Sequence, residues 1–278
     1  MRVAIVQFTA NLDPGVNREE IRKLTADAAS GGAELVVFPE AAARDFGEPG
    51  EPLAPVAEPL DGPFASMLAA LARRHHMVIV AGMLESIPGS STHVHNTVIA
   101  AGVDGDLLGA YRKLHLFDAF GHRESARIRP GDGQTLLFHH GDFTFGVLTC
   151  YDLRFPELAR ELVDQGASVL LVPAAWVQGP LKEDHWTTLA RARAIENTSY
   201  LLGSDQVGNI YCGRSLVVDP LGVTVAALGD RPGVAVAEID AERIAEVRAR
   251  VPSLQHRRFT VHLQQPSPDR PSPDQPPA

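Results

Sequence analysis

Residues 145–157 read Phe-Gly-Val-Leu-Thr-Cys-Tyr-Asp-Leu-Arg-Phe-Pro-Glu. Residues 145–149 form an apolar, β-rich run that Cys150 ends, and Pro156 stands where the first turn of a helix tolerates proline. The stretch is a strand that turns at once into a helix, the unit from which α/β sheets are built. A side chain at such a turn is carried to the rim of the sheet, with backbone N–H groups nearby to hold an anion. A helix N-terminus also favours a thiolate, which matters because a free thiol of pKa about 8.5 is only about 3% ionised at neutral pH. On position alone Cys150 has two readings, a nucleophile or a small buried hydrophobe.

The pattern continues outward in both directions. Apolar runs predict strands over 3–7, 34–38, 77–81, 97–101, 143–149, 168–172, 200–203, 215–218 and 234–239. Several are continuous rather than alternating, as in strands covered on both faces. Amphipathic segments between them predict helices over 14–30, 63–75, 156–165, 184–198 and 241–250. A hairpin pairing 97–101 with 107–112 across 103–106 makes the sheets mixed rather than purely parallel. No linker divides the chain and no repeat is present. The one change of composition is at 264–278, where six of fifteen residues are proline, so a single domain over 1–263 with a disordered or polyproline tail is expected.

Of 278 residues, 25 are Lys or Arg and 34 Asp or Glu, a net charge of −9. That balance argues against nucleic-acid binding, which needs a basic face, and against an anionic membrane surface. A chain of this length buries roughly three quarters of its extended surface and folds without a staple. Two cysteines, Cys150 and Cys212, are too few for a disulfide scaffold, and no apolar stretch is long enough to span a bilayer. A cytoplasmic protein is expected.

Two further residues stand at strand ends. Glu40 follows Leu-Val-Val-Phe-Pro at 35–39, on the rim where open sheets place ligands, although a solvated loop carboxylate looks the same. Lys113 follows the strand-like 107–112 and by itself reads as a surface cation. The pairs His75–His76, His93 with His95, and His139–His140 lack the spacing and partners of a zinc site, so no metal or cofactor is expected. Gly131-Asp132-Gly133 follows no strand and reads as a turn; Cys212 reads as a bystander. Arg154 and Glu157 read as an ion pair at the helix start, with substrate contact by Arg154 as the minor alternative.

Taken together, Phe-Pro-Glu at 38–40, Arg-Lys-Leu-His at 112–115 and Cys-Tyr-Asp-Leu-Arg-Phe-Pro-Glu at 150–157 resemble the nitrilase superfamily of carbon–nitrogen hydrolases. The likeness covers roughly 2–260 and includes Pro-Ala-Ala-Trp at 173–176, the helix from His185-Trp186 to Asn197, and Ser-Leu-Val-Val-Asp-Pro-Leu-Gly at 215–222. It implies a four-layer α-β-β-α sandwich, a Glu40–Lys113–Cys150 catalytic set, and homodimers or higher oligomers packed through the helix 184–198 and the segment 241–258. It also implies a second glutamate, matched by Glu124 in Arg-Glu-Ser at 123–125; the alternative is a surface ion pair of Glu124 with Arg123 or Arg127. Tyr151, through its N–H, and Trp176 are the residues implied at the oxyanion and substrate. Ala41, Ala42 and Ala43 depart from the family's pattern, in a stretch that borders the pocket in relatives.

The chemistry explains the residue types. An amide is a poor electrophile with a poor leaving group, so it calls for a base on the thiol, cationic and N–H donors on the oxyanion, and an acid for ammonia. The sequence after Cys150 is similar to the branch of ω-amidases and deaminated-glutathione amidases, which implies a small amide substrate and a thioester intermediate. An N-carbamoyl-amino-acid amidohydrolase or a nitrilase using the same set is the alternative. A silent scaffold of the same fold would carry a damaged set, and here Glu40, Lys113 and Cys150 are all present.

Overall fold

The computed structural model describes residues 1–263, so the proline-rich tail expected over 264–278 lies outside the described residues. The first half runs β1 (Arg2–Gln7), α1 (Pro14–Ser30), β2 (Leu35–Val37), α2 (Pro63–His75), β3 (Val78–Ser86), β4 (Val94–Ala101) and β5 (Leu107–Arg112). The second begins β6 (Leu136–His140), β7 (Phe143–Val147), α3 (Pro156–Asp164), β8 (Val169–Ala174), α4 (Lys182–Asn197) and β9 (Tyr200–Asp205). A short hairpin follows, β10 (Val207–Gly208) with β11 (Tyr211–Cys212), then β12 (Leu216–Val218), β13 (Thr224–Ala227), β14 (Gly233–Glu238) and α5 (Ala241–Arg250).

Two six-stranded mixed sheets result, ordered β14-β1-β2-β3-β4-β5 and β13-β12-β9-β8-β7-β6. In the first, β1, β2 and β3 are parallel and the rest antiparallel; in the second, β7, β8 and β9 are parallel. Because successive strand residues face opposite ways, Ala4, Val6, Val36, Phe38 and Ile79 pack on Ile21 and Leu24 of α1 and on Phe64 and Leu68 of α2. The alternate residues, Val3, Ile5, Leu35, Val37 and Val78, join Phe145, Val147 and Leu171 of the second sheet. That sheet's far side carries Leu162 of α3 and Trp186 of α4; a Cβ on Gly146 of β7 would meet the Leu162 side chain at 3.1 Å, so the helix lies flat on the strand there. The layers are therefore α-β-β-α, as the resemblance implied.

Several boundaries differ from those expected. β3 and β4 extend to Ser86 and back to Val94, paired without interruption from Ile79↔Ala101 to Ser86↔Val94. β6 and β13 were not anticipated: His139 and His140 make the end of β6 polar, and β13 is a largely exposed edge strand. α4 begins at Lys182 rather than Asp184, directly after Leu181 in the left-handed region, and ends where Thr198 takes that conformation. Among the described residues no helix is long and apolar enough to cross a membrane.

Candidate active site

The strand β7 ends early, and Leu148 continues its direction with a 3.0 Å bond from its N–H to Leu171 O. Thr149 stays extended, then Cys150 enters the left-handed region at φ 48° and opens a 3₁₀ turn over Cys150–Arg154. A non-glycine residue held there costs roughly 1–3 kcal/mol and persists only where its surroundings fix it. Asp152 does so: its Oδ2 accepts the Thr149 N–H at 2.9 Å, and its own N–H donates to Thr149 O at 2.9 Å. The turn leaves the Tyr151 N–H without a partner among the described residues, beside a Cys150 side chain 7% exposed.

Glu40 reaches the same place from the first sheet. Phe38 N–H donates to Val80 O at 2.8 Å and Gly82 N–H to Pro39 O at 3.1 Å, so the chain leaving β2 runs against β3. A Cβ on Gly82 would lie 2.7 Å from Glu40 Cα, and only glycine permits this approach. Gln206 Nε2 donates to Glu40 O at 2.9 Å from the second sheet's side. The Glu40 carboxylate, 1% exposed, is fixed at both oxygens: Oε1 accepts Asn96 Nδ2 at 2.6 Å and Lys113 Nζ at 2.9 Å, and Oε2 accepts the Ala175 N–H at 2.8 Å.

Lys113 leaves β5 with its N–H bonded to Asn96 O at 2.9 Å, and its side chain is wholly buried. Its ammonium also donates to Glu124 Oε2 at 2.9 Å and Oε1 at 3.2 Å. Glu124 is fixed in turn by the Phe117 N–H at 2.6 Å and Asn96 Nδ2 at 3.0 Å. Burial alone would lower the Lys113 pKa, but the Glu124 and Glu40 carboxylates outweigh it and hold the group well above the ordinary lysine range. Lys113 is thus a permanent cation between two carboxylates. The Cys150 thiol is pushed well above its usual value by burial and by Glu40, with Lys113 opposing. It rests as a neutral thiol and needs a base to become a nucleophile.

These groups meet in one cavity of about 300 Å³, lined by Glu40, Lys113, Glu124, Cys150 and Ala175, by the rings of Phe46, Phe117 and Tyr211, and by His122, Arg123 and Arg127. The structure thus brings together four of the residues singled out from the sequence. Tyr151 and Trp176 border a small recess that Cys150 also lines. The Trp176 polar groups are already used, its N–H on Asp205 Oδ1 at 2.7 Å and its indole N–H on Lys182 O at 2.8 Å, which leaves only the ring to face a ligand.

Two expectations are corrected. Arg154 makes no ion pair with Glu157 among the described residues; the extended Phe155 (φ −110°, ψ 95°) separates them, and the guanidinium lies 4.8 Å from the Trp176 ring centroid. Residues 41–43 do not border the cavity but are buried beneath it, with Ala42 and Ala43 packed in the helix-facing core of the first sheet. Of the two readings of Glu124, the structure shows the pairing with Lys113 and not the one with Arg127, whose guanidinium donates to the carbonyls of Phe46, Glu48 and Glu51. Cys212 is a buried thiol that donates to Asp205 Oδ2 at 3.2 Å. Among the described residues no three His, Cys, Asp or Glu side chains are grouped as a metal site.

Two contributors went unread in the sequence, Asn96 and the Ala175 N–H. Asn96 carried a signal, a polar amide inside the apolar strand Val94–Ala101. A backbone N–H carries none.

Residues 2–249 match the family model described as carbon-nitrogen hydrolase. The chain is 38% identical over 259 residues to a deaminated glutathione amidase of Escherichia coli O157:H7, covering 93% of this chain and 98% of that protein. A CN-hydrolase superfamily protein of Xanthomonas campestris, solved with an arsenic adduct in its active site, superposes with a TM-score of 0.85 at 30% identity, covering 94% of this chain and 98% of that one. A variant amidase of Nesterenkonia sp. AN1, solved with acrylamide added to its active-site cysteine, gives a TM-score of 0.77 at 29% identity over 92% of this chain and 99% of that one. A matching order of Glu, Lys and Cys, a four-layer sandwich and a family model spanning most of the sequence agree, and the chain belongs to the carbon–nitrogen hydrolases of the nitrilase superfamily.

Proposed function

We propose that this protein is an amidase that hydrolyses a small linear ω-amide through a thioester on Cys150. The observation that carries the reading is the Lys113 ammonium, 2.9 Å from both Glu40 and Glu124 in the cavity that Cys150 lines. Similarity to a deaminated glutathione amidase supports the substrate class.

In this reading Glu40 takes the thiol proton as Sγ adds to the amide carbonyl. Lys113 and the Tyr151 N–H hold the oxyanion. Collapse of the adduct breaks the C–N bond, the proton on Glu40 passes to departing ammonia, and the acyl group remains as a thioester. Water, oriented by Glu40 and Glu124, then attacks the thioester; Glu40 takes its proton and returns one to the sulfur, and the carboxylic acid leaves. Fixing both Glu40 oxygens with three donors aims the carboxylate without a reorientation at each step.

The test is ammonia release from a panel of ω-amides, N-carbamoyl amino acids and nitriles. Ammonia from ω-amides alone supports the proposal, whereas release of carbon dioxide with ammonia, or consumption of a nitrile, assigns the protein to the other branches. Cys150→Ala abolishes turnover and Cys212→Ala does not. Lys113→Ala lowers kcat at least about a hundredfold, the scale of one lost oxyanion donor.

A further inference from the structure

The first residue of α4 brings a second buried cation to this site, with no acid paired to it among the described residues. Lys182 is 3% exposed, and its ammonium lies 4.4 Å from the Phe117 ring centroid and 5.0 Å from those of Phe120 and Trp176. Its carbonyl accepts the Trp176 indole, yet among the described residues its ammonium makes neither an ion pair nor a hydrogen bond. Asp205, the one carboxyl group among the main influences on its charge, has its oxygens taken by the Trp176 N–H and the Cys212 thiol. Arg154 stands over the same indole at 4.8 Å and adds positive charge rather than neutralising it.

Buried charges are ordinarily paired, because ring faces replace only part of the lost hydration. Burial indeed pushes Lys182 below the ordinary lysine range, with Arg154 acting in the same direction and Cys150 against it. The missing partner has a route in. Lys182 borders the small recess that Cys150, Phe117 and Tyr151 also line, and this recess shares Phe117, Cys150, Ala175 and Val177 with the main cavity. The recess holds only about 10 Å³, room for the tip of an anionic group and not for a whole substrate.

We infer that Lys182 is a specificity-determining residue whose ammonium receives the carboxylate of a short amide acid while the amide carbon sits at Cys150. This rests on the amidase reading above and adds to it the group that receives the substrate's carboxylate.

The inference is tested in the full chain with Lys182→Met, which keeps the length and apolar stem, and with Lys182→Arg, which keeps the charge. Glutaramate and pentanamide have the same chain length and differ in the carboxylate. Lys182→Met should reduce the ratio of kcat/KM for glutaramate over pentanamide at least about tenfold, chiefly through KM, as for a lost charge-assisted hydrogen bond. Lys182→Arg should restore most of the preference. Equal losses on both substrates, with a lowered thermal midpoint, would make Lys182 a packing residue and overturn the inference. A second measurement needs no turnover: glutarate should slow iodoacetamide alkylation of Cys150 in the native protein and not in Lys182→Met. Equal protection in both proteins, or protection of the native protein by sodium chloride at matched ionic strength, would also overturn it. If the native protein hydrolyses neither amide the amidase reading fails, and the protection result still decides what Lys182 binds.

Discussion

The Tyr111 hydroxyl donates a 2.7 Å hydrogen bond to Asp152 Oδ2 and thereby joins the strand that carries Lys113 to the turn that carries Cys150. The same carboxylate accepts the Thr149 N–H, and its other oxygen takes the His115 N–H and ring. Burial and the neighbouring Asp152 hold the Tyr111 phenol well above its usual pKa, so it remains a donor. Tyr111→Phe keeps the ring and removes the tie. One buried bond to a charged group is about 1.5–3 kcal/mol, so the thermal midpoint should fall several degrees. Because the link sets the spacing of Lys113 and Cys150, kcat should fall about tenfold or more with KM little moved. Thermal scans and steady-state kinetics check this; a full loss of stability with native kcat would make the bond structural only.

Asp205 yields a pH prediction. Burial holds its carboxyl well above the ordinary aspartate value, against the lowering effect of the Trp176 N–H and the Cys212 thiol. A group whose pKa is raised on folding binds its proton more tightly in the folded chain. The stability this contributes is complete below the unfolded value near 4 and is lost as pH rises through the folded value. Asp205→Asn has no such titration, so the midpoint of the variant relative to the native protein should become more favourable between pH 5 and pH 8. Parallel melting curves at the two pH values, with a constant difference between proteins, would contradict it.

The parts legible in the sequence are those whose physics is local. The runs 3–7, 143–149 and 168–172 announce buried strands because both faces of each are covered, as Val3 to Gln7 show by being fully buried. β6 and β13 escaped because one ends in two histidines and the other faces solvent, so their pairing comes from neighbours and not from their own pattern. Glu40, Lys113 and Cys150 each have an ordinary reading alone, and their order along the chain distinguished them only by resemblance. Asn96 and the Ala175 N–H reach Glu40 from 56 and 135 residues away, separations at which no local pattern operates. Lys182 lies ahead of the helix expected over 184–198 and carries no signal of its own; only the fold sets three rings around it.

We propose that two copies associate through α4 and the segment from α5 onward. Ile195 of α4 is 47% exposed, and Val251 and Phe259 beyond α5 are exposed as well, apolar surface that a second copy would cover. Light scattering at micromolar concentration should give twice the chain mass, and Ile195→Asp should shift the population toward monomer. A native protein that is monomeric throughout would end this proposal.

In the proposed mechanism the two glutamates around Lys113 separate the half-reactions. Glu40 touches Lys113, Asn96 and the Ala175 N–H beside Cys150, and in the proposed mechanism it serves as base for the thiol and then as acid for ammonia. Glu124 holds Lys113 through both oxygens and is itself fixed by the Phe117 N–H. Glu40→Gln removes the group that takes the Cys150 proton and later gives it to ammonia, while burial, the larger of the causes that raise the thiol's pKa, stays in place. Acylation should stop and no adduct should form. Glu124→Gln keeps the shape and one acceptor on Lys113 but loses charge, so it should slow thioester hydrolysis more than acylation. Acyl-enzyme should then accumulate on Cys150 during turnover and appear by intact-protein mass spectrometry as the mass of the acyl group. Adduct in Glu40→Gln and none in Glu124→Gln would reverse the roles. Native kinetics in Glu124→Gln would reduce that residue to an anchor for the Lys113 ammonium, with the hydrolytic water oriented by Glu40 alone.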